Sequence, residues 1–427
     1  MMVEYLFLAI AIFLPFQFAL NVGENIDLVT TRILVPAVFL MWLLRGFSRK
    51  KVWISDKAET WLILSFLFFS LISLWAGFGW AKGMRKMLYL LSLTPVYFVA
   101  ADLLRNKDFQ KKAVRAIWIS GALSAAAGLF QFSLPFILGL EPTLKIWKEL
   151  APFFLGSAFG KLVTTNPSWL VNVSGETWMR AFGLFPDPHA FSLFASLCFF
   201  TALGYFVWEK NKKWKIFSGT SALLMILAII FSFSRGAYLG VITGSLFFLA
   251  IFLKREGHLK KVFAAGVVLL VVSLVFLRGT VQNRLASTFN PKEGSNVERL
   301  KNWRQAAEAI RDYPLTGIGL GGYSSYIDPM AKERSSIYSH NMLLDITAET
   351  GILNGIIFLA LVLAGIWRGV LSKNILGLGV ASGIVCFLVH GVFDTPIWSP
   401  QVMMIFLVIL AVGTNIDNLK FKNQNEK

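Results

Sequence analysis

Twelve apolar runs limit what this sequence can fold into more than any other feature. They lie near 2–20, 30–46, 58–78, 87–104, 116–138, 189–208, 216–233, 236–253, 262–278, 349–367, 375–393 and 398–416. Runs of about 17 to 25 apolar residues are long enough to cross a bilayer as helices. In hydrocarbon a spanning segment must satisfy its own backbone, which a helix does within one segment. Composition closes the alternatives. With 56% hydrophobic and 15% charged residues over 427 positions, a soluble surface cannot be covered, and 39 Phe with 14 Trp exclude a solvated, disordered chain. The two cysteines, Cys198 and Cys386, sit inside apolar runs, which excludes a disulfide scaffold or a cysteine-based zinc site. The expected fold class is an all-α polytopic membrane protein with about twelve transmembrane helices. The first run carries Glu4 rather than a basic leader and no small-residue cleavage site follows it, so it is expected to stay as a membrane helix.

Charge orients the chain. The 41 Lys+Arg against 24 Asp+Glu give a formal net charge of +17. Alternate loops are the basic ones: "RGFSRKKVWISDK" (45–57), "RNKDFQKKAVR" (105–115), "EKNKKWK" (209–215) and "KREGHLKK" (254–261). Because Lys and Arg accumulate on the cytoplasmic side, these loops and both termini are expected there. That side then holds 23 Lys/Arg and 9 Asp/Glu, and the outer side 18 and 15. The basic excess reads as a topology signal, and a nucleic-acid partner is not expected, since the charges sit in short turns. The chain divides accordingly into helices 1–5 (1–138), an outer loop (139–188), helices 6–9 (189–278), a large outer loop (279–348), and helices 10–12 with a short tail (349–427). Cytoplasmic loops are short, whereas the two outer loops are long enough to build a site. Chemistry is therefore expected on the outer face, away from ATP.

Among four histidines, His258 lies in a basic turn and His390 near the end of the eleventh run, where a structural hydrogen bond accounts for it. His189 follows "FPDP" at the start of the sixth run, a place explained by helix capping and packing. His340, in "SSIYSHNMLLDITAETGI", stands where the outer loop turns into a helix. With Ser339 as N-cap its imidazole would sit at a helix N-terminus, which lowers its pKa and favours a neutral base; a residue that merely helps start the helix is the alternative. The stretch 296–314 reads as a helix opened by Ser295 or Asn296 and closed before Pro314. Arg299 shares its apolar face with Trp303, Ala306 and Ile310, while Arg304, Glu308 and Arg311 point elsewhere. Arg235 in "FSFSRGAYLG", Arg180 in "ETWMRAFGLFPDP" and Arg85 in "WAKGMRKM" also lie just outside span ends. Snorkelling explains one such arginine; four suggest an anionic group at the membrane surface. "GIGLGG" (317–322) lacks the strand and βαβ unit of a dinucleotide site and reads as a tight turn or as amides facing a substrate. Glu24 and Asp27 read as caps of the second span, with metal binding as the alternative.

Three stretches, "FSFSRGAYLGV" (231–241), "RLKNWRQAAEAIRDYPLTGIGLGGY" (299–323) and "SHNMLLDITAETGILNG" (339–355), together resemble the O-antigen ligase family, with its Wzy-type polymerase and O-oligosaccharyltransferase relatives. The family's H-[NSQ]-x9-G-x-x-G pattern is met by His340, Asn341 and Gly351 and departs at Asn354, with Gly355 one place later. "RAFGLFPDPHA" (180–190) is similar to the family's R-A-x-G-x-F-x-N-P segment, with Asp187 where Asn is usual. These motifs cover about two fifths of the chain.

The resemblance implies a GT-C-type membrane glycosyltransferase of the bacterial inner membrane. It would move a glycan from undecaprenyl diphosphate to a lipid A–core sugar hydroxyl on the periplasmic side, inverting and without metal or other cofactor. His340 is implied as general base, Arg235 and Arg299 as diphosphate ligands, and Arg180, Arg85 and Asn341 as further substrate-binding residues. A Wzy-type polymerase, with a growing polysaccharide as acceptor, would use the same site. The short tail after the last span speaks against the branch that glycosylates protein Ser or Thr. A lipid-linked glycan transporter is disfavoured, because ionisable residues cluster at span ends rather than at the midplane.

Overall fold

The computed structural model describes residues 2–23, 26–165, 167–173, 175–256, 266, 294–331 and 337–416. It is mostly helical. Eight helices are long and apolar enough to cross a membrane: Thr30–Ser48, Ala58–Ala76, Trp80–Leu103, Lys107–Leu138, Pro188–Trp208, Lys212–Phe231, Arg235–Arg255 and Ile352–Leu371. They correspond to the second through eighth and the tenth of the expected runs. The first, eleventh and twelfth runs form shorter apolar helices, α1 (Met2–Phe13), Ile375–His390 and Pro400–Thr414. At 1.5 Å per residue a 16-residue helix reaches only about 24 Å, short of the ~30 Å hydrocarbon core, so these three do not meet the length expected of a full span. The expected ninth run, 262–278, lies outside the described residues except Gly266.

In chain order the elements that position the site are α2 (Thr30–Ser48), α3 (Ala58–Ser73), α4 (Trp80–Leu93), α5 (Pro95–Leu103), α6 (Lys107–Leu138), α7 (Leu140–Leu155) and α8 (Ser157–Thr165). They continue with α9 (Pro188–Trp208), α10 (Lys212–Phe231), α11 (Arg235–Glu256), α12 (Gly294–Asp312), α13 (Tyr323–Ile327), α14 (Met342–Thr350), α15 (Ile352–Leu371), α16 (Ile375–His390) and α17 (Pro400–Thr414). The fold is not purely α. Two antiparallel hairpins stand in the first and third loops expected outside: β1 (Ala19–Gly23) with β2 (Ile26–Val29), and β3 (Leu170–Val173) with β4 (Glu176–Met179).

The centre of the bundle is α9, whose apolar residues run all round its circumference rather than along one stripe. A helix hydrophobic on every side belongs in a core, and 83% of its most apolar 18-residue stretch is buried, against 22% to 56% for the other seven long helices. Small residues let α16 press against it. A Cβ added to Gly204 would lie 3.1 Å from the Cα of Gly379, and one on Gly379 would lie 2.5 Å from the Phe200 carbonyl oxygen. Such backbone approach is how helices pack where lipid offers no hydrophobic contrast.

Charged residues tie helix ends together at one end of the bundle. Arg45 pairs with Glu4 at 3.4 Å, Arg368 Nε with Glu59 at 2.9 Å, and Arg115 with Glu209 at 3.2 Å. Trp42 Nε1 donates to Asp102 at 2.8 Å, and Arg255 donates to the Val370 carbonyl. These residues belong to the loops and helix ends expected on the cytoplasmic side. The N-terminal ends of α9 and α11, which carry the site residues described next, lie at the opposite ends of those helices.

Candidate active site

After α16 ends at His390 the chain turns through Gly391 to Asp394 before reaching α17, and several elements converge on this turn. Met342 N donates to the Gly391 carbonyl at 2.7 Å, seating the start of α14. From α12, Arg299 Nε donates to the Phe393 carbonyl at 3.1 Å. His340 Nδ1 lies 3.3 Å from Asp394 Oδ1, and His189 Nδ1, in the first turn of α9, lies 3.2 Å from Asp394 Oδ2. One carboxylate thus stands between two imidazoles, with the Arg299 guanidinium anchored one residue away.

His340 does not occupy the helix N-terminus expected of it. The N-cap of α14 is Asn341, whose side chain accepts from Leu343 N and Leu344 N at 3.1 Å each. His340 precedes it in left-handed backbone, φ 55°, a conformation that costs a non-glycine residue energy and persists only where the surroundings impose it. Asp345 Oδ1 accepts from Ser339 N at 2.8 Å, and the Ser339 hydroxyl bonds to the Asn341 carbonyl at 3.0 Å, which fixes this turn from both sides. The expected lowering of its pKa by a helix end is overturned as well. Burial disfavours the imidazolium, but the hydrogen bond and charge of Asp394 outweigh it, and the His340 pKa is raised above its usual value. Asp394 is held well below the usual carboxylate range: burial pushes it up, and His189, His340 and Arg299 more than reverse that. Of the three histidines here, His340 keeps 38% of its side-chain surface exposed and His189 21%, while His390 is fully buried. His340 is the one a substrate can reach most freely.

The arginines come together through their hydrogen bonds. Arg235, the first residue of α11, is 4% exposed and bonds to Ser295. Ser295 lies one helical turn before Arg299 on α12, so the two guanidinium groups belong to one corner of the structure. Arg180, also 4% exposed, donates from Nε to the Ser232 carbonyl at 2.7 Å and from Nη1 to the Ser168 carbonyl at 3.2 Å. Ser232 opens the turn that presents Ser234 and Arg235. Such burial excludes snorkelling for Arg180 and Arg235. The α12 face is as its pattern predicts, with Arg299, Trp303 and Ile310 half-buried, Ala306 buried, and Arg304, Glu308 and Arg311 exposed; the helix begins at Gly294, slightly earlier than expected, and ends before Pro314.

Several candidates are placed elsewhere. The side-chain oxygen of Asn341 is committed to the helix cap. Arg85 is half-buried on α4, between Lys82, which bonds to Ser324, Ser325 and the Ala331 carbonyl, and Lys86, which pairs with Glu349 at 2.6 Å. Arg299 bonds into the turn that carries Asp394, and Arg180 and Arg235 bond to Ser232 and Ser295. His390 makes no structural hydrogen bond: both ring nitrogens are buried without a partner among the described residues. His189 is not the cap of α9. That is Asp187, accepting from His189 N and Ala190 N at 2.8 Å each. Asp27 does not cap the second span, whose N-cap is Val29; it accepts from Phe159 N at 3.1 Å and fastens the first outer hairpin to α8. Glu24 and His258 lie outside the described residues. "GIGLGG" is a tight turn, with Gly317, Gly319 and Gly321 at φ 66°, 93° and 73°; a Cβ on Gly317 would lie 2.4 Å from the Glu349 backbone. Where the sequence motif departs from glycine, Asn354 donates from Nδ2 to Ser70 Oγ at 3.0 Å and locks α15 to α3. Among the described residues no group of three or more His, Cys, Asp or Glu is placed to hold a metal ion.

Sequence reasoning missed Asp394 and the imidazole of His189. The signal for Asp394 was present: an acid just beyond a nearly uniformly apolar run, four residues after a histidine, needs a partner.

Residues 220–359, which include Arg235, Arg299 and His340, match the family model described as O-Antigen ligase. Over those residues the chain is similar to the O-antigen ligase family. A curated relative, the "General O-oligosaccharyltransferase" of Acinetobacter baylyi (strain ATCC 33305 / BD413 / ADP1), is 25% identical over 393 residues, covering 83% of this chain. The match spans 65% of that relative's own length.

Proposed function

We propose that this protein is a membrane glycosyltransferase that moves a glycan from undecaprenyl diphosphate to a lipid A–core sugar hydroxyl on the outer face of the bacterial inner membrane, with both termini in the cytoplasm. The observation that carries the reading is the His340–Asp394 pair beside three buried or half-buried arginines, Arg299 on α12, Arg235 at the start of α11 and Arg180 in the segment before α9. Asp394 accepts from His340 Nδ1, which leaves Nε2 as the basic nitrogen. In the proposed step that nitrogen takes the proton of the acceptor hydroxyl, and the oxygen attacks the anomeric carbon from the face opposite the carrier. The bond from that carbon to the diphosphate oxygen breaks, and the carrier leaves as the lipid diphosphate with inversion. Arg299, Arg235 and Arg180 supply positive charge where the leaving group gains negative charge. An aromatic cavity of about 490 Å³, lined by Phe132, Phe136 and Trp178, adjoins Met179 and so Arg180; it offers an apolar wall for the carrier's first isoprene units.

Protein purified in detergent, given a polyprenyl-diphosphate glycan and lipid A–core, is expected to form the conjugate with no membrane to cross. His340→Ala is expected to abolish transfer and Arg299→Ala to weaken it through the donor KM; full activity in both removes these roles. The name of the Acinetobacter relative favours a second reading, in which an oligosaccharide passes to another hydroxyl, that of a protein or of a growing polysaccharide. A deletion strain separates these: loss of a ligase leaves full-length polymer on the carrier, loss of a polymerase leaves single repeats, and loss of a protein transferase leaves lipopolysaccharide intact.

A further inference from the structure

His189 is used neither as a helix cap nor, in the step above, as a base, yet its ring is directed at the same carboxylate as His340. Its Nδ1 lies 3.2 Å from Asp394 Oδ2 and 3.0 Å from Ser234 Oγ, the residue before Arg235. Behind it stands the fully buried His390, ring centroids 6.4 Å apart at 74°, and the Asp187 side chain caps its backbone N–H. Arg180 and Arg299 also act electrostatically on the imidazole. A carboxylate has two oxygens, and here each has its own imidazole. Whatever His189 contributes to Oδ2 changes how much negative charge remains at Oδ1 for His340, because the two oxygens share one delocalised charge.

We propose that His189 is a positioning residue for the transfer reaction, acting through Asp394 to set the proton affinity and ring orientation of His340. The inference rests on His340 being the base. A donor on Oδ2 draws charge from the carboxylate and keeps it from rotating away from Oδ1. Without that donor Asp394 holds the His340 proton more tightly, and the base is released only at higher pH. The groups facing His189 and His340 are Asp394, Arg180, Arg299, His390, Asp187 and Asp345, and none of them is itself changed when only His189 is exchanged.

The test is the pH dependence of transfer by full-length protein in detergent, using a polyprenyl-diphosphate glycan as donor. His189→Leu, which removes the donor, is expected to move the acidic limb upward by at least half a pH unit, with activity largely recovered at high pH. His189→Asn puts an amide nitrogen where Nδ1 stands and is expected to keep the wild-type profile. If His189→Leu does not fold, His189→Ala is read in its place, since it too removes the donor on Asp394 Oδ2. Equal loss at every pH, with an unmoved midpoint, overturns the proposal and leaves His189 a packing residue. Failure of the underlying reading looks different: there His340→Ala itself retains transfer.

Discussion

His340 and Asp394 are 54 residues apart in sequence and 3.3 Å apart in space. The carboxylate is not incidental to the histidine. It fixes the tautomer, raises the proton affinity, and belongs to the same turn that anchors Arg299 and the start of α14.

Asp394→Asn is therefore expected to cut transfer by roughly 10²- to 10⁴-fold, the range for loss of effective general-base catalysis. The residual activity should appear at lower pH than in the wild type. The sign follows from the cause: Asp394 raises the His340 pKa, so neutralising it lets the imidazole lose its proton earlier. This shift is opposite to that expected for His189→Leu, and a pH–rate profile of each variant checks the pair.

Arg299→Ala and Arg235→Ala are expected to raise the KM for the lipid-linked donor about tenfold or more, as charge-assisted contacts to phosphate are lost. Arg299→Lys is not expected to restore it. A lysine has a single nitrogen and cannot hold the Phe393 carbonyl while presenting a planar pair of N–H groups to a phosphate. Donor titrations on the three variants measure this.

Asn354 and Ser70 form a buried bond between α15 and α3, away from Asp394. Asn354→Ala is expected to destabilise the protein by about 1–2 kcal/mol, since it leaves Ser70 without that donor. Thermal melts in detergent should show it, transfer at low temperature should be near normal, and the effect with Ser70→Ala should be less than additive.

Asp187 is pushed up to about 6, first by burial and then by the nearby Asp394 charge. Its folded pKa lies above the unfolded value, so its contribution is most favourable below the ordinary carboxylate pKa and is lost as pH rises through about 6. Asp187→Asn keeps a cap oxygen and removes the charge. It is expected to stabilise the protein by roughly 1 kcal/mol at pH 7–8, less than the ~1.4 kcal/mol per pKa unit because the side chain is only half-buried. The gain should shrink as pH falls below about 6 and vanish only below the ordinary carboxylate pKa. Melting temperatures of the two proteins from about pH 3.5 to pH 8 test the window.

The sequence by itself determined eight membrane helices, because the length and apolarity of a run are local properties that no tertiary contact needs to supply. It also marked most of the candidate site's residues: the α12 face carrying Arg299, the Arg235 turn and the His340 motif are short-range patterns. Only the tertiary structure decided which groups meet. Asp394 follows a span from which no periodicity points toward His340, and its role appears once close packing of α16 against α9 brings the end of one helix to the start of the other. The same holds for His340's conformation. A left-handed backbone ahead of an asparagine cap depends on Asp345 and the Gly391–Asp394 turn, contacts that exist only after the helices have packed. Its proton affinity followed the carboxylate that packing delivered, against the sign expected from a helix end.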